Sequence, residues 1–230
     1  MSNKLMSESH SKLIWNVQGL FDNFSIIRNE LEIQIESLPD NNKNKRNKMN
    51  KLISELKEME DTIQNIKDNK MAEIEKYFDH KFIEPNLIIL AFFQPETKNL
   101  FNQLKNHPFP KEKNYDFESY LNLDEAAKVL AFIGDAAISL AMTHVLWEPN
   151  ISSTGELTAK RSKFVSNKNM SKLCDKWNLF DFRLGSSKNV EKANKEKMEH
   201  SKGTIIEALY GVLYIECGLE KVISSVVHLK

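Results

Sequence analysis

Large apolar residues between positions 9 and 38 fall at Leu13, Val17, Leu20, Phe24, Ile27, Leu31, Ile35 and Leu38. Steps of three and four residues trace one face of a helix, close to a heptad repeat. The segment "LPDNNKN" interrupts the pattern, with Pro39 and Asp40 as turn formers. From Lys45 onward it resumes at Met49, Leu52, Leu56, Met59, Ile63 and Ile66, and continues through Met71, Ile74 and Phe78. Two long helices around a short polar turn predict an antiparallel, coiled-coil-like hairpin over residues 1–75. Each stripe is narrow, so it is expected to bury against the other and against little else.

The pattern changes after residue 76. Pro85, Pro95, Pro108 and Pro110 fall close together. "EPNLIILAFF" predicts a short helix opening at Pro85, a residue suited to a first helical position. "HPFPKEKNYD" reads as an exposed loop. Leu123 to Trp147 reads as one long, largely apolar helix, and "GELTAKRSKFVSNKNMSKLCDKW" as one or two amphipathic helices. Residues 186–202 hold five Lys and three Glu and read as a surface loop or a solvated helix start. "GTIIEALYGVLYIECG" reads as a second buried helix. The expected fold class is all-α, with the hairpin over 1–75 preceding a helical domain over 76–230.

Composition supports that class. The 230 residues include only seven Gly and six Pro, and such scarcity of breakers favours long helices. Lys+Arg equals Asp+Glu at 32 each, so any nucleic-acid binding must use a local patch rather than a global field. Cys174 and Cys217 lie in no CxxC pair and are expected to be reduced thiols. No apolar run approaches the roughly 18 residues of a bilayer span, and the N-terminus lacks a hydrophobic signal core. The expected compartment is the cytoplasm, with no membrane partner.

Two acids stand out. Asp135 and Glu207 each lie within an apolar helix, where a charge is expensive unless a metal or partner satisfies it. Each could pair locally, or the two could share a hard divalent cation such as Mg²⁺. Spacing alone does not bring them together. Two basic runs also stand out. "KNKRNKMNK" carries Lys43, Lys45, Arg46 and Lys48 and is either a solvated helix start or a phosphate-contacting tip. "TAKRSKFVSNK" carries Lys160, Arg161, Lys163 and Lys168, a solvated face or a grip on duplex RNA through phosphate and 2′-hydroxyl.

The motifs "FIGDA", "GELT", "VSNKN", "RLG" and "EALYG" occur in one order across about residues 76–228, and together they resemble the ribonuclease III endonuclease domain. That resemblance implies an all-helical, usually dimeric, Mg²⁺-dependent nuclease of double-stranded RNA with four carboxylates at its metal site. The matching positions here are Ala131, Asp135, Thr204 and Glu207, so two of the four acids are missing. A further acid usual in the family is Lys128 here. The lysine and Ala131 share a helix face with Asp135, so its ammonium either reaches toward Asp135 or Glu207 in place of a metal or simply points to solvent. Phe132 matches a family aromatic that packs into a partner subunit, the alternative being an ordinary core position. No separate double-stranded-RNA-binding domain is expected after the nuclease-like domain.

Three functions remain open. The first is a non-cleaving ribonuclease III-like protein that binds structured or double-stranded RNA or a ribonucleoprotein in RNA processing. The second is an active or partner-completed Mg²⁺-dependent endoribonuclease. The third is a dimerisation scaffold that binds protein alone. A homodimer, or a heterodimer with a ribonuclease III-like protein, is expected. No cofactor is expected, with Mg²⁺ the ion required if any cleavage survives.

Overall fold

A computed structural model describes residues 17–39, 41–109, 115, 117–147, 153–185 and 195–230, with the side chains of residues 17–20 excluded. The expected apolar position Leu13 and the turn former Asp40 lie outside the described residues, as do residues 110–114 and 116 of the expected loop and residues 186–194. The fold class is all-α. Among the described residues, extended pairing is limited to one parallel bridge, Phe93 with Leu184.

Helix α1 (Val17–Glu36) and helix α2 (Lys43–Asn65) form the hairpin. Met49, Leu52, Leu56, Met59, Ile63 and Ile66 are all buried, as their spacing predicts. The next apolar residue, Met71, comes five positions after Ile66, one more than an α-turn delivers. The backbone accommodates that step with a π-helical turn over Ile66–Lys70, in which the Met71 amide donates to the Ile66 carbonyl. Helix α3 (Met71–Phe78) then carries Met71, Ile74 and Phe78 into the core without a break. Lys70, at the end of the π turn, is buried; its ammonium meets Glu73 at 2.6 Å and the Trp177 carbonyl at 3.3 Å.

The hairpin does not bury only against itself. Phe21 stacks on Phe93 (centroids 5.8 Å apart, planes 7° apart), and Phe24 packs on Phe101 and Tyr120. Phe21 was not among the periodic positions; it widens the apolar stripe of α1 enough to reach the second layer. Those partners come from the segment after α4 (Pro85–Leu90), from α5 (Thr97–Lys105) and from α6 (Phe117–Leu121). The segment expected to be an exposed loop is partly anchored: Phe109 and Tyr115 are half-buried and pack on each other and on Phe117.

The rest of the fold is built on α7 (Leu123–Leu146). Helices α8 (Thr154–Phe164) and α9 (Asn167–Lys176) follow, capped by the Ser153 and Ser166 hydroxyls, which accept from Glu156 N and Asn169 N. Then come α10 (Lys195–Cys217), α11 (Leu219–Ser225) and a short 3₁₀ turn over Val226–Leu229. Contrary to the reading that no segment approaches a bilayer span, α7 is long and apolar enough to cross a membrane by length and composition. Here it is the central helix, packed along α10.

The two helices meet through glycine. A Cβ built on Gly134 would overlap the Glu207 carbonyl oxygen and lie 2.7 Å from the Gly211 amide nitrogen. One built on Gly211 would overlap the Leu130 carbonyl oxygen. Backbone packs on backbone there, and only the absence of side chains allows it. Gly134→Ala is therefore expected to destabilise by about 3 kcal/mol or more, or to abolish folding. Gly155→Ala, whose Cβ would meet only the Ser153 hydroxyl at 3.7 Å, should stay within ~0.5 kcal/mol of the parent. Urea unfolding of the two variants checks the contrast.

Candidate functional site

The glycine crossing brings together the two acids that spacing could not. Glu207 offers its carbonyl to Gly134, and Asp135 is the next residue along α7. The two were expected to be buried. Glu207 is half-buried, but Asp135 is exposed, because it sits about 100° round the helix from the glycine that faces α10. Burial, and then the Asp135 charge, push the Glu207 carboxyl up from 4.5 to about 7. It is thus held partly protonated at neutral pH.

The neighbouring donors are sparse. Ala131 is buried and supplies no ligand atom. The Thr204 hydroxyl donates to the His200 carbonyl at 3.0 Å, a bond within its own helix. A pair of divalent ions ~3.5–4 Å apart needs several carboxylates to offset ion–ion repulsion. Two carboxyls do not fit such a centre. Among the described residues no group of three or more His, Cys, Asp or Glu could hold a metal ion.

Lys128 does not fill the gap. Its ammonium binds Asp124 at 3.0 Å and Glu125 at 3.2 Å, and the Asp124 bond above all holds it more basic than usual. The expected reach toward Asp135 fails for a geometric reason. Helical side chains lean toward the N-terminus, so a lysine at 128 meets positions 124 and 125 and turns away from 135. Asp124 is the buried acid that the sequence analysis missed: it is 3% exposed, and its Oδ1 has no hydrogen-bond partner. The visible signal was an acid four residues ahead of a lysine on one helix.

Of the basic runs, α8 buries none of its residues. Lys160 pairs with Glu156 at 2.9 Å, Lys163 lies over the Phe164 ring, and Lys168 is exposed at the start of α9. Arg161 is half-buried, with its Nε unpartnered. In the hairpin, Lys43, Lys45 and Lys48 are exposed. Arg46 is turned across the hairpin, where its guanidinium donates to the Leu38 carbonyl; it secures the turn.

Phe132 is 77% exposed, which excludes an intramolecular core position. Val129, Ala136 and Leu140 are exposed on the same face of α7, so the helix presents an unbroken apolar stripe to solvent.

Residues 128–218 match the family described as Ribonuclease III domain. Ribonuclease 3 of Carboxydothermus hydrogenoformans is 28% identical over 162 residues, covering 69% of this chain and 60% of that protein. Ribonuclease 3 of an aster yellows phytoplasma is 30% identical over 92 residues, 39% of this chain and 37% of that one. Among solved structures, the nuclease domain of ribonuclease III from Campylobacter jejuni superposes with a TM-score of 0.51 at 25% identity, covering 68% of this chain and 93% of that domain. Its description concerns structural flexibility in a region involved in dimer formation.

The raised Glu207 carboxyl has a consequence for stability. Below pH ~4.5 the group is protonated whether the chain is folded or not, and it contributes nothing. As pH rises toward 7 the unfolded chain ionises first, so the folded state loses stability; above 7 the loss is complete. Glu207→Gln should abolish this term and raise stability above pH 7 by about 2–3 kcal/mol, with no gain at pH 4. Denaturant titrations at both pH values check it.

Proposed function

The chain carries a ribonuclease III domain at residues 128–218, and from that premise we propose that it binds double-stranded or structured RNA without cleaving it. One observation carries the reading. At the glycine crossing, Ala131 and Thr204 stand where the family resemblance calls for carboxylates, leaving two acids, Asp135 and Glu207, where four are called for. Mg²⁺ in this family's chemistry generates hydroxide and steadies the attacking and leaving oxygens of the phosphodiester. The residues present do not hold the ions that such a step requires. Loss of several kcal/mol of transition-state stabilisation lowers a rate by orders of magnitude.

Binding survives that loss because it uses other groups. Helix α8 keeps its whole length accessible and carries Lys160, Arg161 and Lys163, with Lys168 just beyond. Cations on an exposed helix suit a duplex read by shape and phosphate. The apolar stripe around Phe132 supports association with a second ribonuclease III-type domain, either this chain or a relative. The structural neighbour from Campylobacter jejuni is described as having a region involved in dimer formation, which supports association of this kind. The proposed setting is cytoplasmic RNA processing, with the protein as a holder of RNA rather than a cutter.

Purified protein incubated with long duplex RNA and Mg²⁺ or Mn²⁺ should shift the RNA in a gel and leave its length unchanged. Hydrolysis that disappears on Asp135→Asn would overturn the non-cleaving reading. For the interface, Phe132→Ala should lower the sedimentation coefficient toward that of a monomer at micromolar concentration, with thermal stability of the monomer unchanged.

A further inference from the structure

We propose that the groove between α2 and α5 is a second RNA contact, a cradle for a few consecutive phosphates of the backbone. This rests on the RNA-binding reading above. The groove encloses about 590 Å³. Lys45, Lys48 and Lys51 form one wall, Asn102, Gln103, Asn106 and His107 the other, and no acid lines it. Met49, Leu52 and Pro108 supply its apolar lining.

The wall of lysines has a regular pitch. Residues three apart rise about 4.5 Å along a helix, so the ammonium groups are anchored over roughly 9 Å. A nucleic-acid strand carries a phosphate every ~3.4 Å along its axis, so that length spans a few phosphates. Lys45 and Lys48 make no ion pair among the described contacts, whereas Lys51 meets Glu55 at 3.7 Å. Beyond Lys51 acids predominate: the adjoining cavity is lined by Glu55, Glu58, Glu96 and Asp181 against Lys51 and Arg183. The positive track therefore ends at Lys51 and runs toward Lys45 and the hairpin turn. Helix α2 has no acid in its first turn, so its N-terminal dipole adds to the positive potential there.

The opposite wall suits sugar and phosphate. The Asn106 and Gln103 amide groups each give one N–H to a carbonyl of their own helix, Asn102 O and Asn99 O. Each amide nitrogen keeps a second hydrogen, and each amide oxygen can accept, which matches a 2′-hydroxyl that both donates and accepts. His107 anchors its wall to the first helix: its Nε2 meets Gln34 Oε1 of α1 at 2.9 Å, and its ring packs on Phe109. Burial and then the Lys45 ammonium keep His107 less basic than usual.

The test uses the full chain. Lys45→Glu with Lys48→Glu is compared with Lys57→Glu with Lys67→Glu, two exposed lysines of the same rod outside the groove, so net charge changes equally. A third variant, Lys163→Glu with Lys168→Glu, alters the α8 region alone. Binding to duplex RNA is measured across salt concentrations, with circular dichroism melts to verify folding. The groove variant should weaken binding at least tenfold near 0.1 M salt and reduce the log–log salt slope by about two, while the 57/67 variant changes affinity less than threefold. Added RNA should also move the His107 ring signals in NMR spectra of the parent protein. If the groove variant and the 57/67 variant weaken binding equally, or if only the 163/168 variant does, the cradle is wrong and the broader reading stands. If the parent protein fails to bind RNA at all, the broader reading falls, and the cradle with it. If polyglutamate, and not RNA, moves the His107 signals, the groove takes acidic peptide and the proposal is overturned.

Discussion

Two glycines set the geometry from which the rest follows. At Gly134 and Gly211 the backbones of α7 and α10 touch, and any side chain at either position would occupy the other helix's peptide group. Such an approach locks both the axial register and the rotation of each helix, because a slip of one residue would drive a Cβ into a carbonyl. With Gly134 facing inward, Asp135 lies about 100° away, at the edge of the contact beside Glu207. Phe132, two residues earlier, lies about 200° round, and so points away from α10 into solvent. One close contact thereby positions the acid pair and exposes the aromatic.

The hairpin is held by a different device. Its stripe of apolar residues steps by five at Ile66 to Met71, and a single π turn absorbs the extra residue so that the rod runs on into α3 with its apolar face still inward. Phe21 and Phe24 then lock α1 onto Phe93, Phe101 and Tyr120. The basic end of α2 is thus carried at a set distance from α5. The proposed cradle depends on that rigidity, since lysines on a loosely tethered rod would not form a wall.

The electrostatics around the acid pair follow from the same crossing. Two acids give little anionic field to hold a cation, and burial, then the Asp135 charge, discourage Glu207 from ionising. Lys128 takes no part in this pair and instead binds one oxygen of Asp124, a buried carboxylate at the helix start. The positive surface now lies elsewhere, on α8 and on the hairpin. That separation underlies the proposal that the protein holds RNA rather than cuts it.

The sequence by itself determined the helical class, the hairpin, most helix spans and the family resemblance, because these depend on the local period of apolar residues and on motif order. Met49 through Phe78 are buried as their spacing implies. It also showed that Ala131 and Thr204 supply no carboxylates. Tertiary structure alone decided how exposed Asp135 is, where Lys128 reaches, what Arg46 holds and which face of α7 meets solvent. Each of these depends on side-chain direction and on which helix crosses which, and periodicity along one chain carries no information about a neighbour's backbone. The groove between α2 and α5 is the plainest case: its two walls lie some fifty residues apart in sequence, and only the fold places Lys48 opposite Asn102.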